Sequence, residues 1–250
     1  MPVRQTVLIT GASSGIGRGM AREFAARGRD LALCARRADR LEELRDELTA
    51  AHPGIRVVVR PLNVLEYDRV FEVFRAFRDD FGTIDRVIVN AGLGKGQPIG
   101  TGYFRANRQT AETNFVGALA QCEAAVEILR AQNSGHLVTI ASVSAFRGQR
   151  RNLTTYAASK AALAALTEGI RADLLGTPIR VSTMFPGFIR SELTEKVKRT
   201  PFIVDTETGS RKLVEAIERE PASAFVPWWP WAPLVFFMKR VPLSWAVRLA

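Results

Sequence analysis

Tyr156 and Lys160 are the residues of this chain whose types and spacing most directly suggest chemistry. They lie four residues apart in the segment TTYAASKAALAALTEGI, whose pattern is helical, so they share one helix face. A free tyrosine has a pKa of about 10, and a nearby ammonium stabilises the phenolate and lowers that pKa. The pair therefore predicts a group that exchanges protons near neutral pH.

A glycine-rich turn, TGASSGIG at 10–17, follows a short apolar stretch and precedes a helical pattern that begins at Arg18. Glycines there allow a sharp turn and a close approach of backbone amides to a pyrophosphate, and the helix N-terminus adds positive potential. The position between strand and helix predicts a dinucleotide-binding turn. An ordinary glycine-rich turn is the alternative.

These features and four others occur in an order typical of one enzyme family. The turn has the spacing TGxxxGxG, and the other features are Asn-Ala-Gly at 90–92, Asn114 in a helical segment, Ser142 at the end of an apolar stretch, the pair Tyr156 and Lys160 as YxxxK, and Pro186 with Gly187. Over roughly residues 5–195 the chain resembles the classical short-chain dehydrogenase/reductase family.

The resemblance implies a catalytic set, a cofactor site and no metal. Tyr156 would be the general acid in reduction and the base in oxidation, Lys160 its tuner and a ribose ligand, and Ser142 the carbonyl polariser. Asn114 would hold a proton-relay water beside Lys160, and Ser144 is a second candidate for the polarising hydroxyl. The residues implied to bind cofactor are Gly11, Ser13, Ser14, Gly15, Ile16, Gly17, Arg36, Arg37, Asn63, Val64, Asn90, Ala91, Gly92, Tyr156, Lys160, Pro186, Gly187, Ile189 and Ser191.

The residues after the second apolar stretch bear on the choice of nicotinamide cofactor. A protein that prefers NAD places an acid there, whereas this chain has Ala35 followed by Arg36 and Arg37. Guanidinium groups suit a phosphate, which predicts NADP(H), with solvation of the loop as the alternative. Asn63 replaces the family's usual Asp near the adenine and Ser191 its usual Thr near the carboxamide, and both retain hydrogen-bonding groups.

Six short apolar stretches, at 6–10, 31–35, 57–62, 86–90, 136–142 and 180–185, must position these residues. They alternate with helical patterns, which requires right-handed crossovers and predicts an α/β fold, a doubly wound parallel-sheet Rossmann domain with helices on both faces. No linker or repeat marks a boundary, so residues 1–250 are expected to form a single domain. Within it, residues 188–220 are expected to form the substrate-binding loop and helix, and residues 221–250 an aromatic, proline-rich C-terminal tail.

The segments after Ser142 and Pro186 should wall the substrate pocket, because ligands of such folds lie beyond the carboxyl ends of the strands. Both segments mix aromatic and basic side chains, namely Phe146, Phe188, Phe202, Arg147, Arg150, Arg151, Lys196, Lys198 and Arg199. This mixture predicts a lipophilic carbonyl or alcohol, with an anionic head or carrier. A solvated basic loop is an equal alternative.

The tail begins with an uncharged stretch, PASAFVPWWPWAPLVFFM at 221–238, which holds three of the four tryptophans of the chain. Three prolines, at 227, 230 and 233, interrupt it, so a membrane-spanning helix is not expected. The following residues, 239–250, have the pattern of a short amphipathic helix. A lid over the pocket, a subunit interface and a peripheral membrane contact remain three interpretations of the tail.

Composition excludes several other classes. The chain has 250 residues, 47% of them hydrophobic and 24% charged, which excludes disorder and fibres. The formal net charge of +10 favours anionic ligands, but the basic residues are scattered and no nucleic-acid motif is present, so nucleic acid is not expected as a partner. Cys34 and Cys122 cannot form a disulfide framework. Reduced thiols and the absence of a signal-peptide pattern predict a cytoplasmic location, with peripheral contact at the inner face of a membrane as an addition.

The combined expectation is an NADP(H)-dependent oxidoreductase that interconverts a carbonyl and a secondary alcohol, acting as a homodimer or homotetramer. Its substrate is expected to be lipophilic, of the ketosteroid, long-chain keto-lipid, 3-oxoacyl or retinoid type. A non-catalytic NADP(H)-binding redox sensor and a membrane-associated interaction protein are the alternatives.

Overall fold

The computed structural model describes residues 3–192 and 201–245. Within these ranges seven strands form one parallel sheet: β1 (Thr6–Thr10), β2 (Asp30–Ala35), β3 (Val57–Pro61), β4 (Arg86–Val89), β5 (Gly135–Ile140), β6 (Ile179–Pro186) and β7 (Ser223–Val226). Their order is β3-β2-β1-β4-β5-β6-β7. Because the order reverses between β1 and β4, the turns after these two strands meet at a topological switch point, where such sheets bind ligands.

Eight α-helices in the described ranges cover both faces of the sheet: α1 (Gly15–Ala25), α2 (Ala38–Ala51), α3 (Tyr67–Phe81), α4 (Phe104–Ala111), α5 (Gly117–Gln132), α6 (Thr154–Asp173), α7 (Thr206–Glu218) and α8 (Trp228–Met238). Alternation along β1 sends Val7 and Ile9 into a core shared with α1, α2 and α7, and Leu8 into a core shared with α3, α5 and α6. The predicted doubly wound Rossmann fold is confirmed.

The six predicted strands are all present, and a seventh was not predicted. Strand β7 lies in the segment interpreted as a tail, where it pairs with the end of β6. It has only four residues, too few to show a hydrophobic period. Strand β5 ends at Ile140, two residues before the predicted end at Ser142.

Helix α8 forms although three prolines occur in or beside it. Trp229 has a non-helical backbone (φ −93°, ψ 133°), so the regular helix begins at Pro230, where a missing amide hydrogen costs little. In a regular helix the ring of Pro233 would clash with the carbonyl of the residue four positions earlier, which is Trp229. Because Trp229 is non-helical, that clash is avoided. Across 3–192 and 201–245, no helix combines the length and apolar character that crossing a bilayer requires. Of the amphipathic helix predicted at 239–250, residues 243–245 are helical and 239–242 are not, while residues 246–250 lie outside the described residues.

A π-helical turn, Glu112–Val116, joins α4 to α5 in one continuous helical run. It carries Asn114 near its middle. Such turns are rare and occur frequently at functional sites.

Five polar residues form a charged network near the amino ends of the central strands. Arg86, with 1% of its side chain exposed, lies 2.7 Å from Glu218 and 3.3 Å from Glu220, and its Nε donates to Nδ1 of His136. Arg4 also pairs with Glu220, at 2.8 Å. Burial, followed by the charge of Arg86, holds the pKa of His136 well below its ordinary value, so the ring is neutral and accepts at Nδ1.

Candidate active site

A cavity of about 360 Å³ lies at the carboxyl ends of β1, β2 and β4. Fourteen of the predicted cofactor-binding residues line it: Gly11, Ser13, Ser14, Gly15, Ile16, Gly17, Arg36, Arg37, Asn63, Val64, Asn90, Ala91, Gly92 and Ser191. Nine lining residues were not in the predicted set: Cys34, Ala35, Leu62, Leu65, Leu93, Gly94, Lys95, Thr113 and Glu192.

The glycine-rich turn packs so closely on the segment after β4 that its glycines have no room for side chains. A Cβ on Gly17 would lie 2.3 Å from the Gly11 carbonyl oxygen and 2.7 Å from Nδ2 of Asn90. Gly11 has φ +68°, and its Cβ would lie 2.9 Å from Cα of Ala91. The bare backbone around the cavity is what a dinucleotide's pyrophosphate needs for close approach, so the residues present fit that group.

Thr10 holds the two turns together and was not among the predicted site residues. Its hydroxyl oxygen accepts hydrogen bonds from the amides of Asn90 and Ala91, both at 3.0 Å. In return, the Asn90 side chain donates to the Thr10 carbonyl at 2.9 Å. The sequence shows a threonine at the start of the glycine-rich turn. Its contact with the segment after β4 could not be predicted, because that contact depends on the order of the strands in the sheet.

Asn114 is buried and fixes the segment that follows β4. Its Oδ1 accepts from the Leu93 amide at 2.8 Å, and its Nδ2 donates to the Leu93 carbonyl at 2.8 Å and to the Ser159 hydroxyl at 3.1 Å. A Cβ placed on Gly92 would lie 3.2 Å from this Oδ1 and 3.6 Å from Nζ of Lys160. Asn114 and Lys160 therefore border the same short stretch of the cavity wall.

The side chains of Ser142 and Tyr156 lie side by side, and the Ser142 hydroxyl acts to lower the pKa of Tyr156. Ser142 stands before a short 3₁₀ helix, Val143–Phe146, and its hydroxyl accepts from the Ser144 amide at 3.1 Å. Ser144 thus supports Ser142 through its backbone. Of the two candidate hydroxyls, the geometry favours Ser142 as the partner of Tyr156.

Lys160 lies on the same helix face as Tyr156, as predicted. Its Nζ donates to the Ile140 carbonyl at 2.7 Å and lies 6.0 Å from the centre of the Tyr156 ring. Burial lowers the pKa of Lys160 to about 8, so the ammonium remains the majority form at pH 7.

The expectation that Lys160 holds the pKa of Tyr156 below its ordinary value is wrong for this arrangement. Burial is the largest effect and raises the pKa of Tyr156, while the Ser142 hydroxyl opposes it. The phenol is therefore neutral at pH 7 and carries a proton to donate.

Besides Tyr156 and Lys160, three predicted cofactor-binding residues lie outside the lining of the cavity. Pro186 ends β6, and the Gly187 amide donates to the Val226 carbonyl at 2.9 Å. Ile189 is buried against α7, where a Cβ on Gly209 would lie 2.7 Å from its Cγ2. These residues direct the chain that brings Ser191 to the cavity.

Arg37 lies at the end of the cavity formed after β2. Its guanidinium donates to the hydroxyls of Ser14 at 2.7 Å and Ser13 at 3.4 Å. Glu192, on the segment after β6, pairs with Arg37 at 3.3 Å and with Arg40 at 2.8 Å. No local pattern could have identified Glu192, because only the fold brings it to these arginines.

Among the described residues, the side chain of Asn63 forms its hydrogen bonds within its own turn. Its Oδ1 accepts from the Leu65 amide, and its Nδ2 donates to Glu66, both at 3.3 Å.

Cys34 and Cys122 are buried free thiols, and burial raises the pKa of each, that of Cys122 to about 12.

Comparison with known proteins identifies the family. The family model described as short chain dehydrogenase matches residues 5–201. The chain belongs to the short-chain dehydrogenase family.

Other short-chain dehydrogenases and oxidoreductases resemble this chain over most of its length. An uncharacterised oxidoreductase of Mycobacterium tuberculosis is 54% identical and covers 99% of this chain and 98% of its own. The structure of an alcohol dehydrogenase from Thermococcus sibiricus, complexed with 5-hydroxy-NADP, is 25% identical with a TM-score of 0.79, covering 89% of this chain and 95% of its own. That of a 3-oxoacyl-[acyl-carrier protein] reductase from Brucella melitensis, in complex with NAD, is 26% identical with a TM-score of 0.78, covering 90% and 96%.

Some of the residues expected to contact the substrate of this short-chain dehydrogenase pack instead against other parts of the chain. The Phe146 ring lies 4.6 Å from Phe185 and 5.3 Å from Phe225 between ring centres, so it packs on the sheet edge. Arg147 donates to the carbonyls of Met238 and Val241 at the end of α8, which removes it from the basic groups free for an anionic substrate.

The other predicted substrate-loop residues fall into three groups. Phe188 and Phe202 pack against Trp231 of α8, with ring centres 5.6 and 6.0 Å apart. Arg150 and Arg151 are exposed. Lys196, Lys198 and Arg199 lie outside the described residues.

Proposed function

We propose that this short-chain dehydrogenase is an NADP(H)-dependent oxidoreductase that interconverts a carbonyl and a secondary alcohol on a lipophilic substrate. The observation that carries the proposal is the grouping of Ser142, Tyr156 and Lys160, the last two on one helix face, beside a cavity that fits a dinucleotide. The relatives are named oxidoreductase, alcohol dehydrogenase and 3-oxoacyl-[acyl-carrier protein] reductase, which agrees with this class of reaction.

In this proposal each side chain of the site has a separate role. The nicotinamide group, when bound, supplies or accepts a hydride. The Ser142 hydroxyl donates a hydrogen bond to the carbonyl oxygen of the substrate, and the neutral Tyr156 hydroxyl donates its proton to that oxygen during reduction. The Lys160 ammonium stabilises the phenolate that remains. Asn114 fixes the wall beside Lys160, where a relay water would return the proton.

The direct test is NADPH oxidation over a panel of ketosteroids, long-chain ketones, 3-oxoacyl thioesters and retinal. Turnover that depends on Tyr156 would establish the reaction and name the substrate class. NADPH binding without turnover of any panel member would favour the alternative of a non-catalytic redox sensor.

Further expectations belong to the same proposal. The chain would act as one domain, with residues 188–220 bordering the substrate, as a homodimer or homotetramer in the cytoplasm. Peripheral membrane contact would involve residues 221–250. A membrane-associated interaction protein is the second candidate function, which the exposed aromatic side chains of α8 favour.

Arg37→Ala is expected to weaken NADPH binding about tenfold or more while changing NADH binding little, because only NADPH carries the 2′-phosphate that a guanidinium would hold. Arg36→Ala should act in the same direction. Dissociation constants from cofactor fluorescence would measure both effects, with Arg45→Ala on the exposed side of α2 as the control. Equal losses for the two cofactors would reject the NADP(H) assignment.

Glu192→Gln is expected to tighten NADPH binding several-fold and to leave NADH binding nearly unchanged. The Glu192 carboxylate occupies the guanidinium of Arg37 that the 2′-phosphate would need, and it would repel that phosphate. The same titrations would measure the change, with Glu47→Gln, an exposed carboxylate paired with Arg22, as the control. Equal weakening of NADPH and NADH binding would instead show that Glu192 has a structural role, in which it holds the segment after β6 to Arg37 and Arg40.

A further inference from the structure

Helix α8 has apolar side chains on two opposite faces. The inner face buries Trp231 and Val235. The outer aromatic face consists of Phe236 and Phe237 on the regular helix and of Trp228 and Trp229 in the kinked start that precedes it, all of them 60–69% exposed. A helix that is apolar all round is normally covered on every side, by protein or by lipid. Within the described residues, nothing covers this outer aromatic face.

Two cations follow α8, and of these Arg240 lies against the outer aromatic face and Lys239 against Phe146. Arg240 places its guanidinium 3.6 Å from the centre of the Phe236 ring and donates to the Phe236 carbonyl at 2.9 Å. Lys239 follows α8 directly and lies 4.6 Å from the Phe146 ring. Tryptophan and phenylalanine beside lysine and arginine, in a chain of net charge +10, complement an anionic lipid surface.

The dimensions of α8 decide how it would contact a bilayer. Its regular part, the nine residues 230–238, extends about 14 Å, roughly half of the hydrocarbon thickness. The inner face is already committed to the protein. The helix can therefore only lie in the plane of the interface, with the aromatic face toward the acyl chains and the cations at the phosphates.

The inner face of the same helix borders the active site. A Cβ on Gly187 would lie 1.9 Å from Nε1 of Trp231, so the chain that leaves β6 packs directly on the indole. Phe188 and Phe202 pack against the same indole. Arg147, five residues after Ser142, binds the carbonyls at the end of α8. The helix is thus fixed to both segments that leave the sheet at the site.

We propose that α8 docks the protein on an anionic lipid bilayer through its outer aromatic face, and that the site beside its inner face receives its lipophilic substrate from that bilayer. The proposed docking depends only on the exposed aromatic face and the neighbouring cations. The proposed delivery of substrate from the bilayer rests on the proposed function.

Flotation of the full chain with vesicles tests the docking. Binding is expected with phosphatidylcholine vesicles that contain phosphatidylglycerol, and it should weaken with salt. Trp228→Ser with Phe237→Ser should reduce binding tenfold or more, and Lys239→Gln with Arg240→Gln by about fivefold per cation. The matched control, Phe104→Ser with Leu175→Ser, removes equally exposed apolar side chains elsewhere and should bind like the native chain. Circular dichroism would verify that each variant folds.

Two results would overturn the docking. One is the absence of vesicle binding by the native chain, or equal binding by the aromatic variant. The other is a native dimer that the aromatic variant converts to a monomer in light scattering, without vesicle binding, which would make the face a contact between two copies.

Kinetics with and without vesicles test the delivery. For a bilayer-dissolved ketone, anionic vesicles should raise kcat/KM in the native chain and not in the aromatic variant, while a water-soluble ketone should show no difference. Equal effects on both variants would overturn delivery. Inactivity toward every ketone would reject the proposed function, and flotation would still report the docking by itself.

Discussion

Tyr156→Phe is expected to lower kcat by about 10²–10⁴-fold while leaving NADPH affinity nearly unchanged. The substitution removes only the hydroxyl that lies beside Ser142 and that holds the transferable proton at pH 7. The ring and its packing remain. Steady-state kinetics on the first substrate found in the NADPH panel, together with cofactor titration, would measure both quantities.

The control for this loss is Tyr67→Phe, the same chemical change on the exposed side of α3. It should leave kcat and cofactor affinity as they are. If Tyr156→Phe retained more than about a tenth of the native kcat, another group would have to supply the proton, and the assignment of Tyr156 would fail.

Arg86→Ala is expected to destabilise the fold by about 3–5 kcal/mol, because it removes one partner from a buried charge network. His136 loses the donor to its Nδ1, Glu218 keeps only its longer pair with Arg29 at 3.4 Å among the described residues, and Glu220 keeps Arg4. Urea unfolding followed by circular dichroism would measure the free energy of unfolding.

Arg75→Ala is the matched control. Arg75 also forms an ion pair, with Glu127 at 3.0 Å, but both side chains are about half exposed, so the pair is worth about 0–1 kcal/mol. Equal small losses in the two variants would show that water reaches the Arg86 network and replaces the missing guanidinium.

The residues that directly follow strands could be predicted from the sequence because local pattern and chain order place them together. The turn at 10–17, the Asn-Ala-Gly segment and Arg37 line one cavity for this reason. Glu192 could not be predicted, since its contact with Arg37 depends on how the segment after β6 crosses the sheet edge. Strand β7 was missed because four residues show no period, and the pKa of Tyr156 was misjudged because burial cannot be read from spacing.

The π-helical turn at Glu112–Val116 interrupts a regular helix at the position of a residue of the candidate site, Asn114. Each residue in such a turn is held by a longer hydrogen-bond loop than in an α-helix, so deletion of one residue would restore regular geometry. It would also remove the widened turn that carries Asn114, whose side chain bonds Leu93 and Ser159. Deletion of a single residue would therefore give this chain a shorter and more regular helix. The same deletion would break the Asn114 contacts that form the cavity wall beside Lys160.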